Sequence, residues 1–246
     1  GRVRNVRDFS KAIKNLIRDG VKIIDLGGES TRPGSHEISY EVEKEREVKY
    51  LEFLSKTNHG AIISVDTRKS KIAELSAHFK AHIINDVSAG TFDKGMLAIV
   101  KKYKLGFCMG HSQGFPETMN INPKYENVVL DVYDYLEERI FKAVQAGISK
   151  DKILVDPGIG FGKTCKHNLD IIRNISIFHG LGCPILLGVS RKKFIKTTML
   201  STNDLGLKFG SIFYSFEGVR QGVQIVRMHD VKEMKNCLNG HKALWT

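Results

Sequence analysis

A parallel α/β barrel is the fold this sequence predicts, and three observations carry the prediction. Amphipathic helical stretches alternate with short β-branched runs along the chain, those runs are apolar at successive rather than alternate positions, and each ends in polar residues. Unbroken apolarity means a strand buried on both faces, as in a parallel sheet covered by helices. In a barrel such strands deliver their C-terminal ends to one mouth, where the chemistry collects.

The first helical stretch places Phe9, Ala12, Ile13, Leu16 and Ile17 on one face and stops at Gly20, where a C-terminal glycine belongs. A strand follows at 21–26. The pattern then repeats, with helices at 42–54, 72–78, 96–103, 128–146, 169–178 and 211–220 preceding strands at 61–65, 82–84, 106–109, 153–155, 185–187 and 223–226. A last helix is expected at 231–238. This makes seven strands where a full barrel has eight. Because the chain opens with the helix that should follow the first strand, the expectation is a (β/α)8 TIM barrel lacking its first strand, N-terminally truncated, with a doubly wound open sheet as the runner-up.

With 246 residues, 41% hydrophobic and 26% charged, the chain suits one large core, and no linker or low-complexity tract divides it. Residues 1–246 are therefore read as a single domain. The longest apolar runs, such as Pro184-Ile185-Leu186-Leu187, are far shorter than the roughly 18 to 20 residues of a membrane span. The start, Gly1-Arg2-Val3-Arg4, has no hydrophobic signal core, and Cys108, Cys165, Cys183 and Cys237 show no Cys-x-x-Cys spacing. Reduced thiols and a cytoplasmic setting are expected.

A formal charge of +11 asks for an anionic partner. The clusters Arg2/Arg4/Arg7, Lys101/Lys102/Lys104 and Arg191/Lys192/Lys193 lack interleaved stacking aromatics, so the reading is a small anionic substrate, with no nucleic acid and no membrane.

The strand ends supply the chemistry. They read Asp25-Leu26-Gly27-Gly28-Glu29-Ser30-Thr31-Arg32-Pro33-Gly34, then Asp66-Thr67, Asn85-Asp86, His111, Asp156-Pro157-Gly158, Ser190-Arg191-Lys192 and Arg227-Met228-His229-Asp230. Asp66, Asn85, Asp156 and Lys192 offer the donors and acceptors that a planar heterocycle's edge needs. Arg32, Arg227 and His229 suit phosphate oxygens. A heterocycle carrying a phosphate group satisfies both halves.

Simpler readings compete at each position. Asp66 and Asp156 could cap following helices, and Lys192 could open one, although a cation is poorly placed at a helix N-terminus. Gly158 to Thr164 resembles a nucleotide loop, but Pro157 stands where a P-loop requires glycine. Cys108 with His111 suggests a nucleophile pair, yet the sequence offers neither an orienting partner, and a buried structural thiol is the better reading. Zinc ligation by Asp and His has no support.

The segments 25–34, Ser64-Val65-Asp66-Thr67, Ile84-Asn85-Asp86, 156–163, 188–192 and 227–231 together resemble the dihydropteroate synthase family of pterin-binding barrel enzymes, in the family's order and over nearly the whole chain. The resemblance implies a transferase of folate biosynthesis. It would join 6-hydroxymethyl-7,8-dihydropterin diphosphate to p-aminobenzoate, giving 7,8-dihydropteroate and diphosphate. It implies Asp66, Asp156 and Lys192 as catalytic residues, with Asp66, Asn85, Asp156 and Lys192 on the pterin and Val87, Met109, Phe161 and Gly188 lining its pocket. Thr31, Arg32, Arg227 and His229 would meet the diphosphate, helped by Mg2+. Pro33, Phe161, Ser190 and Lys192 would border the p-aminobenzoate site, which sulfonamides also occupy. No metal ligand is expected within this chain, since the family's metal-proximal Asn lies on the first strand's loop. A homodimer is implied as well. The alternatives are a related barrel methyltransferase acting between a folate and a corrinoid protein, and a non-catalytic pterin-binding scaffold.

Overall fold

The computed structural model describes residues 5–114, 116–200 and 203–245. Helices α1 (Val6–Arg18), α2 (Tyr40–Lys56), α3 (Ser70–His78), α4 (Met96–Tyr103) and α5 (Val128–Gln145) alternate with strands β1 (Ile23–Leu26), β2 (Ile62–Asp66), β3 (Ile83–Asp86), β4 (Gly106–Gly110) and β5 (Ile153–Asp156). Then come α6 (Cys165–Arg173), β6 (Leu186–Leu187), α7 (Lys193–Thr198), α8 (Asp204–Arg220), β7 (Ile225–Val226) and α9 (Val231–Trp245).

Every pairing is parallel and joins neighbours in chain order. β1 to β5 form one sheet, β6 pairs with β7, and a bridge between Val155 and Ile185 links the two groups. This sequential order is that of a barrel; a doubly wound sheet would reverse direction from its centre. Among the described residues, no strand pairs with the free edge of β1 or of β7.

Capping chemistry explains where several helices start. Asn5 accepts from the Asp8 N–H at 2.9 Å to open α1, and Thr164 with His167 forms a reciprocal capping box at α6. Ile63, Val65, Ile84, Phe107, Ile153, Val155 and Leu187 on the strands pack with Leu51, Ile72, Met96, Leu136, Ile171 and Phe178 from the helical layer. Each such side chain contributes about 2 kcal/mol of transfer free energy on burial.

Two expected helices are corrected and one helix, α7, was not expected. The helix at 169–178 is α6 ending at Arg173, followed by a separate 3-10 turn over Ile175–Leu181, because Asn174, at φ −115° and ψ 23°, leaves the helical conformation. The short α7 has no extended hydrophobic period by which to be recognised. α8 begins at Asp204, capped by Asn203, rather than at 211, because its first two turns leave Leu205 and Phe209 exposed and so lack a buried stripe.

Candidate active site at the strand ends

Parallel pairing sets Asp66 beside Asn85 and Asn85 beside Cys108, while Gly110 pairs with Asp156. The polar residues that were hundreds of positions apart therefore share one rim. Gly110 has to be glycine, since a Cβ there would lie 2.6 Å from the Cα of Val87. That close approach draws the Val87 loop against β4, whose Met109 is fully buried.

Arg227, just beyond β7, is the centre of the rim. Its Nη1 donates to Asp25 Oδ2 at 2.7 Å and to Asp66 Oδ2 at 2.9 Å. Asp25 also accepts from Ser64 Oγ at 2.7 Å and Asn85 Nδ2 at 3.2 Å. Burial pushes the Asp66 carboxyl up to about 7, Asp25 pushes it the same way, and Arg227 restrains the rise. Burial opposes the charge on Arg227, but Asp66 and Asp25 outweigh it and hold its proton more tightly than usual.

Lys192 faces this group from the β6 loop. Its Nζ donates to the Ile159 carbonyl and stands 4.5 Å from the centre of the Phe161 ring. Burial lowers its pKa to about 7, against the pull of Asp156, with Arg227 adding to the fall. Asp156 accepts from the Gly158 N–H at 2.8 Å, and a positive φ of 71° at Gly158 turns the backbone back over the rim. Neither Asp66 nor Asp156 caps a helix: the N-cap position of α3 is Lys69, which makes no side-chain cap, and α6 uses Thr164.

On the phosphate-suited side, Ser190 Oγ and His229 Nδ1 are 2.9 Å apart, and Ser190 Oγ accepts from the His229 N–H at 3.1 Å. A Ser190 hydroxyl that donates to Nδ1 leaves the imidazole proton on Nε2. Partial burial and the cations Arg191 and Arg32 push the His229 pKa down. Gly188 lies beside Arg227, with room for a Cβ 3.6 Å from Nε.

The loop after β1 carries buried Thr31 and exposed Arg32 and Pro33. It is braced by Ser35 Oγ donating to the Arg32 carbonyl at 2.6 Å and by the Gly34 N–H donating to the Pro116 carbonyl at 2.8 Å. Thr31 and Pro33 are near the rim only through this loop. Arg32 reaches it through its charge, which acts on both Lys192 and His229.

Two residues escaped the sequence reading. Asp25 stood inside the first strand-end motif, yet it bonds Arg227 as Asp66 does; its signal was a carboxylate near the C-terminal end of β1, as Asp66 is at the end of β2. Arg191 points away from the rim, its Nε and Nη2 gripping both carboxylate oxygens of Asp230 at 3.0 and 2.8 Å, and so staples the β6 loop to the β7 loop. His111, read as unpartnered, has Lys163 Nζ 2.8 Å from Nδ1. Burial pushes the Cys108 thiol well up, as befits a structural cysteine.

Among the described residues, no group of three or more His, Cys, Asp or Glu side chains is placed to hold a metal. Asp25 and Asp66 are already bonded to Arg227 and Asp156 accepts from the Gly158 N–H, so this donor set does not make a Mg2+ site by itself. No helix among the described residues is long and apolar enough to cross a membrane.

The family model described as pterin binding enzyme matches residues 1–229. A dihydropteroate synthase of Escherichia coli K12 is 40% identical over 226 residues, covering 92% of this chain and 79% of that protein. The crystal structure of the Yersinia pestis dihydropteroate synthase with a sulfonamide drug complex superposes with a TM-score of 0.92 at 35% identity, covering 98% of this chain and 86% of that one. The Xanthomonas albilineans enzyme in complex with 7,8-dihydropteroate gives a TM-score of 0.87 at 28% identity, covering 100% and 88%.

Proposed function

This chain belongs to the pterin binding enzyme family as a dihydropteroate synthase, and from that premise we propose how its own residues divide the reaction. 6-Hydroxymethyl-7,8-dihydropterin diphosphate and p-aminobenzoate combine to 7,8-dihydropteroate and diphosphate. The bond between the pterin methylene and the diphosphate oxygen breaks, and a bond from that carbon to the aniline nitrogen forms. The nitrogen then releases a proton.

The observation that carries the assignment is the position of the Arg227 guanidinium, bonded to Asp25 and Asp66 at the boundary between the heterocycle-suited and phosphate-suited halves. Positive charge grows on the pterin as the bond stretches, and ionised Asp66 and Asp156 stabilise it. Negative charge grows on the leaving diphosphate, and Arg227, Arg32, His229 and the Thr31 hydroxyl receive it. Charges fixed before the reaction cost no reorganisation during it. No covalent nucleophile is needed.

In this proposal Asn85 and Lys192 also read the pterin edge, and Val87, Met109, Phe161 and Gly188 shape its pocket. Pro33, Phe161, Ser190 and Lys192 border p-aminobenzoate, where a sulfonamide would compete. Mg2+ accompanies the diphosphate and is not held by this chain alone, so no step above runs through it. Residues 1–246 act as one pterin-binding domain in the cytoplasm. A homodimer is proposed through α8, whose Leu205, Phe209 and Phe213 form an exposed apolar stripe at helical spacing.

The test is to supply the purified protein with the pterin diphosphate and p-aminobenzoate and measure dihydropteroate. Formation of the product, inhibited competitively by a sulfonamide against p-aminobenzoate, is expected. Tight pterin binding without product would overturn the assignment in favour of a scaffold.

A further inference from the structure

Beneath the rim, helix α2 meets the loop that follows β1 in a buried cluster of charges. Glu29 bonds Lys69 at 3.0 Å and Arg68 at 3.2 Å. Glu43, fully buried, bonds Lys69 at 2.8 Å and accepts from Thr67 Oγ1 at 2.7 Å. Glu47, one turn further along α2 and 1% exposed, has no such counter-charge. Its Oε1 accepts from the Gly28 N–H, while its Oε2 is buried without a hydrogen-bond partner.

The charges facing Glu47 come from every neighbouring element. Glu43 and Arg46 share its helix, Asp25 lies in β1, Asp66 ends β2, Glu29 lies on the β1 loop, Arg68 and Lys69 follow β2, and Arg227 bonds Asp25 and Asp66 across the rim. The cations are committed: Lys69 to Glu29 and Glu43, Arg68 to Glu29, Arg227 to Asp25 and Asp66. Arg46 turns its Nη1 to the Gly28 carbonyl at 3.0 Å rather than to the carboxylate. Burial first, and the Glu43 charge second, hold the Glu47 carboxyl protonated up to about pH 8.

Helix α2 thus grips Gly28 at both its N–H and its carbonyl. The fit is close, since a Cβ on Gly28 would lie 2.8 Å from Glu47 Cγ and 2.9 Å from the Glu43 carbonyl. Three residues later the same loop presents Thr31 and Arg32. We propose that Glu47, in its neutral form, is a positioning residue that roots the β1 loop on α2 and thereby holds Thr31 and Arg32 at the diphosphate. Ionisation places an unpaired charge among Glu43, Asp25 and Asp66 and loosens that root. The proposal rests on the functional reading above.

The experiment compares wild type with Glu47→Gln, which keeps the carbonyl acceptor and cannot ionise. The ratio of kcat/KM for the pterin diphosphate, variant over wild type, should rise about tenfold between pH 7 and 9, with effects of Lys192 and of the substrates cancelling in the ratio. A flat ratio would overturn the proposal. Two readouts need no substrate. Because the folded-state pKa lies above the unfolded one, wild-type stability from this group is lost as pH rises to about 8, so the variant's Tm advantage should grow from pH 5 to 8 and then stay constant. In wild type alone, amide exchange of segment 27–34, corrected for its intrinsic rate, should lose protection between pH 7 and 9; unchanged protection would count against the proposal even if the variant failed to fold. Absence of product from wild type at every pH would overturn the functional reading instead, and the melting and exchange results would separate the two failures.

Discussion

Arg227 Nη1 lies 2.7 Å from Asp25 Oδ2, although 202 positions separate the two residues along the chain. β7 and β1 exchange no ladder hydrogen bonds among the described residues, so this ion pair spans the seam between them. The same guanidinium nitrogen holds Asp66 at 2.9 Å. One cation therefore ties the C-terminal part of β1 to the end of β2, and in the proposed mechanism its remaining donors meet the leaving group.

Replacing Arg227 by Met should lower kcat/KM by about 10²- to 10³-fold, the order expected on removing a donor aimed at developing charge. It should also leave Asp25 and Asp66 facing each other without a counter-ion. Steady-state kinetics together with the melting curve checks both effects; near-normal turnover would remove Arg227 from the diphosphate side.

Asp25→Asn should move the pH profile. Asp66 is held up to about 7 by burial first and by Asp25 second. Below that pH it is neutral and cannot stabilise a cationic pterin, so wild-type kcat/KM should fall on the acid side. Removing the Asp25 charge lowers the Asp66 pKa and shifts that limb to lower pH. The sign for stability is opposite: a carboxyl raised in the folded state contributes stability that is lost as pH climbs from about 4 to 7. An acid limb identical in the two proteins would refute the coupling.

Lys192→Ala and Asp156→Asn should each abolish turnover while the fold survives. Neither side chain is part of the apolar core, and the Lys192 side chain bonds only the Ile159 carbonyl among its described hydrogen bonds. Circular dichroism should be unchanged and kcat reduced by about 10²-fold or more. Retained activity in both would overturn the site assignment.

Ser190→Ala tests the histidine. Without the hydroxyl, His229 Nδ1 loses its 2.9 Å partner, the contact that orients the ring. Affinity for the pterin diphosphate should weaken by about tenfold, roughly 1.4 kcal/mol, as read by calorimetry. Affinity unchanged would place His229 away from the diphosphate.

Much of this was legible before any coordinates. Unbroken apolar runs announced parallel strands, and polar residues after each run announced the rim, because a parallel barrel brings all strand ends to one side whatever their distance in sequence. That rule singles out Asp66, Asn85, Asp156, Lys192, Arg227 and His229. Neutral or charged states were not legible, since Asp66 and Lys192 both move toward 7 through burial and through neighbours contributed by other strands.

The sequence by itself therefore determined the order of elements, the family's motifs and the chemical character of the rim. Only the tertiary structure decided that Arg227 joins Asp25 to Asp66, that Arg191 turns outward to Asp230, that Lys163 meets His111, and that Glu47 is buried without a counter-ion. Periodicity is a local property of the backbone and survives in one dimension. Ion pairing and desolvation depend on which side chains from separate elements arrive within a few ångströms of one another, and that is settled only when the barrel has formed.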